Sequence, residues 1–344
     1  MISDRTTPAA AARARLGRGS PPSWVVFVIG LALLAAAGAA VVRTGADLSG
    51  AIDTLLGSPL WLKALVIISP AANVLAVTLS FMALQRRFAR VAFGEMFDLI
   101  GSAWLLNHLP MRPGLIGRIG YHKRVHGIRV RDSVNTTVWS VVLAAVANGA
   151  LLLVALLMPG AGDDAPWAWA GGAMLWAAGP TIAALAASPL APCGAPRLIT
   201  LALAARSLDV LLWYLRYGLA FSLLGVGLDA PTIALVSAVS QLATLIPLTG
   251  SGIGFREWGV GLTSTIGGDR MGIGIAADLI NRAAEILIVL PIGLWCTARV
   301  SRRWVLHRRA TRAGRSPEDQ PHKSTGAEDP ERDGPEQDPA DARS

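Results

Sequence analysis

Four residues, Asp278, Asn281, Arg282 and Glu285, are offset by 0, 3, 4 and 7 positions. On an α-helix that spacing puts all four on one face. They lie in an otherwise apolar run, 271–298, and Arg216 lies near the middle of another, 207–227. Ionisable side chains at that depth are costly, so they pair, face a bundle interior or mark a polar path for an ion or a charged group. A structural network is equally consistent with the pattern: Asp278 with Arg282 inside the helix, and Glu285 with Arg216 between helices. The two roles are compatible.

A second chemical feature is the break at 245–257, LIPLTGSGIGFRE. Apolar helical sequence runs up to Pro247 and resumes at Trp258, with Gly250, Gly252, Gly254, Arg256 and Glu257 between. Proline removes a backbone donor and glycine permits bends. In lipid, such a break is tolerated only where protein buries it or it lines a wet cavity. The amides near Gly252 and Gly254, at the start of a helix and beside Arg256, suit a phosphate. This is no nucleotide fingerprint, because no strand precedes it and Glu257 stands where a third glycine would fall. A related break, 109–118, holds Pro110, Arg112, Gly114, Gly117 and Arg118. In both, Ile-Gly follows the proline by six and seven residues, and an arginine comes next, at 118 and 256. Paired Gly/Pro interruptions in two halves of an apolar chain point to a transporter-type site and to an inverted repeat.

The elements that position these residues follow from composition. The 344 residues are 53% hydrophobic and 16% charged, with mean hydropathy +0.48, which fits a polytopic, all-α membrane protein. Residues 1–23 read as a disordered basic arm, 24–298 as the transmembrane domain, and 299–344 as a basic, then acidic, disordered tail. Spans are expected at 24–42, 64–84, 134–157, 167–187, 207–227 and 271–298. A loop is expected at 43–63 and an amphipathic interfacial stretch at 197–206. The apolar segments 96–109 and 231–246 are short for a crossing, so each reads with its break as a re-entrant elbow, over 96–133 and 231–268. About six full spans plus two elbows result; counting both elbows as spans makes eight. Net charge is +8, and the basic residues gather at the N-terminus, in 86–131 and after the last span. These segments are expected in the cytoplasm with both termini, and the 158–166 loop with Asp163 and Asp164 outside. The distribution suits anionic lipid head groups more than nucleic acid. Cys193 and Cys296 form no disulfide framework or metal site, and His108, His122 and His126 read as interfacial polar residues without metal-ligand companions. No cofactor is expected.

Residues 106–127, LNHLPMRPGLIGRIGYHKRVHG, and 246–257, IPLTGSGIGFRE, followed by Asn281 and Arg282, resemble the lysylphosphatidylglycerol synthase transmembrane region, or flippase-like, family. The first block is similar to the family's asparagine–proline–glycine–arginine segment. The second is similar to its Pro-x-x-x-Gly-Gly-x-Gly-x-x-Glu block and late arginine. The likeness covers about 20–300, and departs at Thr249-Gly-Ser-Gly252, where Pro-Gly-Gly is common, and at Arg112-Pro-Gly114. It implies a multi-pass domain of the bacterial cytoplasmic membrane that moves anionic or aminoacylated phospholipid, or another lipid-linked substrate, between leaflets. Arg112, Gly114, Arg118, Gly252, Gly254, Arg256 and Glu257 would meet the head group. Arg216, Asp278, Asn281, Arg282 and Glu285 would line the polar path. A homo-oligomer or a partner in envelope-lipid synthesis is the further expectation. With no aminoacyl-transfer domain recognised, the chain is not expected to be an enzyme. The alternative is a non-transporting accessory or scaffold protein of an envelope-lipid or lipid-carrier pathway.

Overall fold

The computed structural model describes residues 48–109, 113–157, 195–245, 252–268 and 271–313, with isolated residues of 28–39 and 176–189. The expected arm, the spans at 24–42 and 167–187, the acidic 158–166 loop, Cys193, Arg112 and the tail beyond 313 lie outside these ranges. All regular structure among the described residues is helical: α1 Leu48–Gly57, α2 Leu60–Gln85, α3 Phe93–Leu106, α4 Pro113–Val125, α5 Val130–Leu157, α6 Pro196–Leu223, α7 Ala230–Leu245, α8 Phe255–Ser264 and α9 Met271–Ala313. The described residues up to Trp304 form one compact unit, and those from Val305 belong to a second.

Three helices, α2, α5 and α6, are long and apolar enough to cross a membrane. Their sidedness supports that reading. On α2, Trp61, Leu65, Ile68, Leu75 and Leu79 are exposed, while Asn73, Thr78, Ser80 and Gln85 are buried. Exposed Leu201, Leu208, Leu211 and Leu215 recur at helical spacing on α6, against buried Asp209 and Arg216. On α5, Val134, Val138, Val141 and Val142 face out and Ser133, Thr136, Ser140 and Asn148 face in. Apolar outside and polar inside is the arrangement of a bundle whose surroundings are hydrocarbon.

Three boundaries differ from the sequence expectation. The expected loop at 43–63 holds α1 and the first turn of α2, which starts after Pro59. The stretch 197–206 is no separate interfacial helix but the first part of α6, with Ile199, Ala202, Leu203 and Ala205 buried. Residues 299–313 continue α9 rather than beginning a tail.

The two expected elbows are broken helix pairs, α3–α4 and α7–α8. Small residues let them pack closely. A β-carbon on Gly114 would lie 2.3 Å from the Ala103 carbonyl oxygen, so α4 starts hard against α3. Gly101 and Gly293 close α3 on α9, where added β-carbons would meet Cys296 Sγ and Leu105 Cβ. Gly261 and Gly274 do the same for α8 on α9. Such small-residue contacts are the usual means of close helix approach in membranes.

Candidate functional site

The site is built where α8 begins. Gly254 has φ +87° and Gly252 φ +71°, a region that β-carbons disfavour, and they turn the chain from α7 into α8. Glu257 then folds back to accept a 2.7 Å hydrogen bond from the Gly254 amide. The other Glu257 oxygen lies 2.7 Å from Arg282 Nε on α9. The Gly254 amide expected to face a phosphate is therefore taken up by the protein's own carboxylate. Gly252 packs on the backbone of α7, 3.2 Å from the Ala243 oxygen for an added β-carbon.

Arg256, one residue before Glu257, is fully buried. Its Nε is 2.9 Å from Asp278 Oδ1 and its Nη1 3.2 Å from Glu285 Oε2. The Tyr217 hydroxyl donates to Asp278 at 2.5 Å and touches Ser240 Oγ. Arg216 donates to Asn73 Oδ1 and to the Asn281 carbonyl, both at 3.1 Å, and stands 4.2 Å over the Trp213 ring. The common face of Asp278, Asn281, Arg282 and Glu285 is thus real and buried, but the expected pairs are not formed. Asp278 and Glu285 both hold Arg256, and Arg282 meets Glu257. The reason is geometric: α8 inserts its cation between the two acids of α9, a neighbour that helix periodicity cannot show.

Sequence reasoning missed a second half of the network. Asn73 donates to Asp209 at 2.7 Å, and Asp209 lies 3.4 Å from Arg206. Arg206 also bonds the Ser140 hydroxyl of α5. An i, i+3 Arg206–Asp209 pair and a lone Asn73 inside apolar runs were the available signals. Arg118 of α4 donates to Thr137 at 2.7 Å. Arg118 and Arg206 stand over one ring, Phe81, at 3.8 and 5.7 Å from its centroid.

Between the two broken pairs lies a cleft of about 260 Å³. Arg118 from the first elbow and Arg256 from the second line it, with Arg206, Asp209, Gln241 and Glu285. Arg118 and Arg256, one from each sequence break, thus meet in one cleft. Gly114 serves packing instead, and Arg216, Asp278, Asn281 and Arg282 support the cleft from behind, outside its lining. The motif glycines also differ in role. Gly254 turns the chain, whereas Gly117 is an ordinary residue within α4 with open space around it.

A separate polar cluster joins α3 and α4. Glu95 accepts from the Tyr121 hydroxyl at 2.7 Å and lies 3.1 Å from His126. His122 beside it is buried rather than interfacial. Burial, and then the charges of Arg118 and His126, pull its pKa down to about 3. Among the described residues, no group of three His, Cys, Asp or Glu side chains could hold a metal. Comparison with family models, curated proteins and solved structures finds no match to the chain.

Proposed function

We propose that the protein is an integral lipid translocase of the bacterial cytoplasmic membrane, moving an anionic or aminoacylated phospholipid, or another lipid-linked amphiphile, between leaflets. One observation carries the reading: a cleft lined by charged side chains from both broken helix pairs, inside a bundle whose outer face is apolar. An amphiphile would place its head group in such a cleft and leave its chains along the outer face. Head-group transfer through hydrocarbon is slow because its polar atoms lose water; fixed protein dipoles and charges offset that cost. The two blocks that resemble flippase-like proteins are the two that supply Arg118 and Arg256, which supports the same reading.

The test is leaflet exchange in vesicles reconstituted with the full chain. Head-group-labelled phosphatidylglycerol should become accessible to an impermeant quencher faster than in protein-free vesicles. Exchange no faster than in protein-free vesicles, for both anionic and aminoacylated phospholipids, would overturn the reading and favour a scaffold. Mass spectrometry of lipid that co-purifies with the protein would narrow the substrate.

A further inference from the structure

The cleft is not charge-balanced. Its lining holds three buried or nearly buried arginines, 118, 206 and 256, against two carboxylates, Asp209 and Glu285. Each acid has an arginine partner. Arg118 is 7% exposed and has no carboxylate partner among the described residues; its hydrogen bond goes to a neutral threonine. Donors also outnumber acceptors. Arg206 Nε, Arg256 Nη2 and Gln241 Nε2 are buried without a hydrogen-bond partner there, against a single such acceptor of the cleft, Asn107 Oδ1. An uncompensated buried cation and unmade donor bonds are expensive, so a bound anion with several acceptor atoms would lower the free energy of this site. Guanidinium forks match a tetrahedral oxyanion better than a point ion, and about 260 Å³ exceeds what a halide fills.

We propose that this cleft is a phosphate-type oxyanion site, received by Arg118 and Arg206 over Phe81, with Gln241 and the outer nitrogen of Arg256 completing the donor set. The Gly254 amide, held by Glu257, does not take part. The site deepens the translocase reading and would seat the phosphate of the head group, though a free phosphate ester presents the same chemistry.

Equilibrium binding of radiolabelled inorganic phosphate to the full chain in phosphatidylcholine nanodiscs tests it, alongside Tm in phosphatidylcholine against phosphatidylglycerol nanodiscs. Saturable phosphate binding identifies a free phosphate ligand; a Tm rise in phosphatidylglycerol alone identifies a lipid head group. Arg118→Gln should weaken whichever response is seen by about tenfold or more, the size of one charge-assisted contact. Gln241→Glu should abolish it and raise Tm without ligand, because the new carboxylate replaces the anion. No response in the wild type, or a response unchanged in Gln241→Glu, overturns the site, and the second variant decides even if Arg118→Gln does not fold. Phosphate binding by a protein that moves no lipid would leave the site and remove the transport reading. Lipid movement with binding indifferent to Gln241→Glu would do the reverse.

Discussion

The Arg256–Asp278 contact joins an ion on the broken pair to the last helix, and both side chains are fully buried. Removing one partner of a buried pair leaves a charge without compensation, typically a loss of roughly 3–5 kcal/mol. Arg256→Gln and Asp278→Asn should therefore each lower Tm strongly. The double variant should lose less than the two losses combined, since it leaves no lone ion from this pair. Additive losses in detergent melting curves would remove the coupling. His122 supplies a second residue-scale expectation. Its ring nitrogens have no hydrogen-bond partner among the described residues, and its folded pKa of about 3 lies below the ordinary 6.5. Below pH 6.5 the unfolded chain takes up a proton that the folded chain refuses, so stability is full above 6.5 and falls as pH drops toward 3. The slope from this one group is at most about 1.4 kcal/mol per pH unit. His122→Phe should remove that component, with Glu95, Tyr121 and His126 still present; melting curves at pH 6.5 and 4.5 that change equally for both proteins would refute it.

At the scale of elements, the glycines of α4 separate packing from motif. Gly114→Ala would drive a β-carbon to 2.3 Å from backbone oxygen, which no side-chain rotation relieves. It should cost at least about 1–3 kcal/mol, the usual range for overpacking. Gly117 is exposed, helical and open on all sides, so Gly117→Ala should stabilise by about 0.5–1 kcal/mol. Thermal melts of the two variants should move in opposite directions; a loss at Gly117 would mean that the motif glycine has a packing role. In sequence these glycines look alike, because spacing from a proline reveals neither φ nor a neighbour. The same limit explains α6. Arg206 reads as a boundary between water and lipid, and only Asp209 and Ser140 around it show that the helix passes through. What was legible is what helix periodicity encodes locally: α2, α5, the common face of Asp278–Glu285, and both breaks. What was not legible depends on which helix lies across the gap, as with Arg256 replacing both expected partners of the α9 acids.

At the scale of the molecule, one end of the bundle gathers its positive charge. Arg86, Arg87 and Arg90 are exposed after α2, and Arg129 and Arg131 are exposed where α5 starts. Between them α3 and α4 have 14 and 13 residues, short of the roughly 20 a helix needs to cross. We propose that this hairpin returns to the side it left, a reading that the shared charge of its flanks supports. The last helix agrees: Arg299 and Arg303 reach Asp98, near the start of α3, at 3.1 and 3.0 Å. So the basic segments after α2, before α5 and around Arg299 and Arg303 of α9 share one end, and the bias of arginine toward cytoplasmic loops makes the cytoplasm the proposed side. The prediction is made on a background with Cys193→Ser and Cys296→Ala. A single cysteine replacing Lys123, an exposed residue of α4, should resist an impermeant maleimide applied to intact cells and react after permeabilisation. One replacing Asp163 should react from outside. Labelling of Lys123→Cys in intact cells would turn α3–α4 into a full crossing. It would also support the eight-span arrangement, and would separate the basic loop from the ends with which it groups.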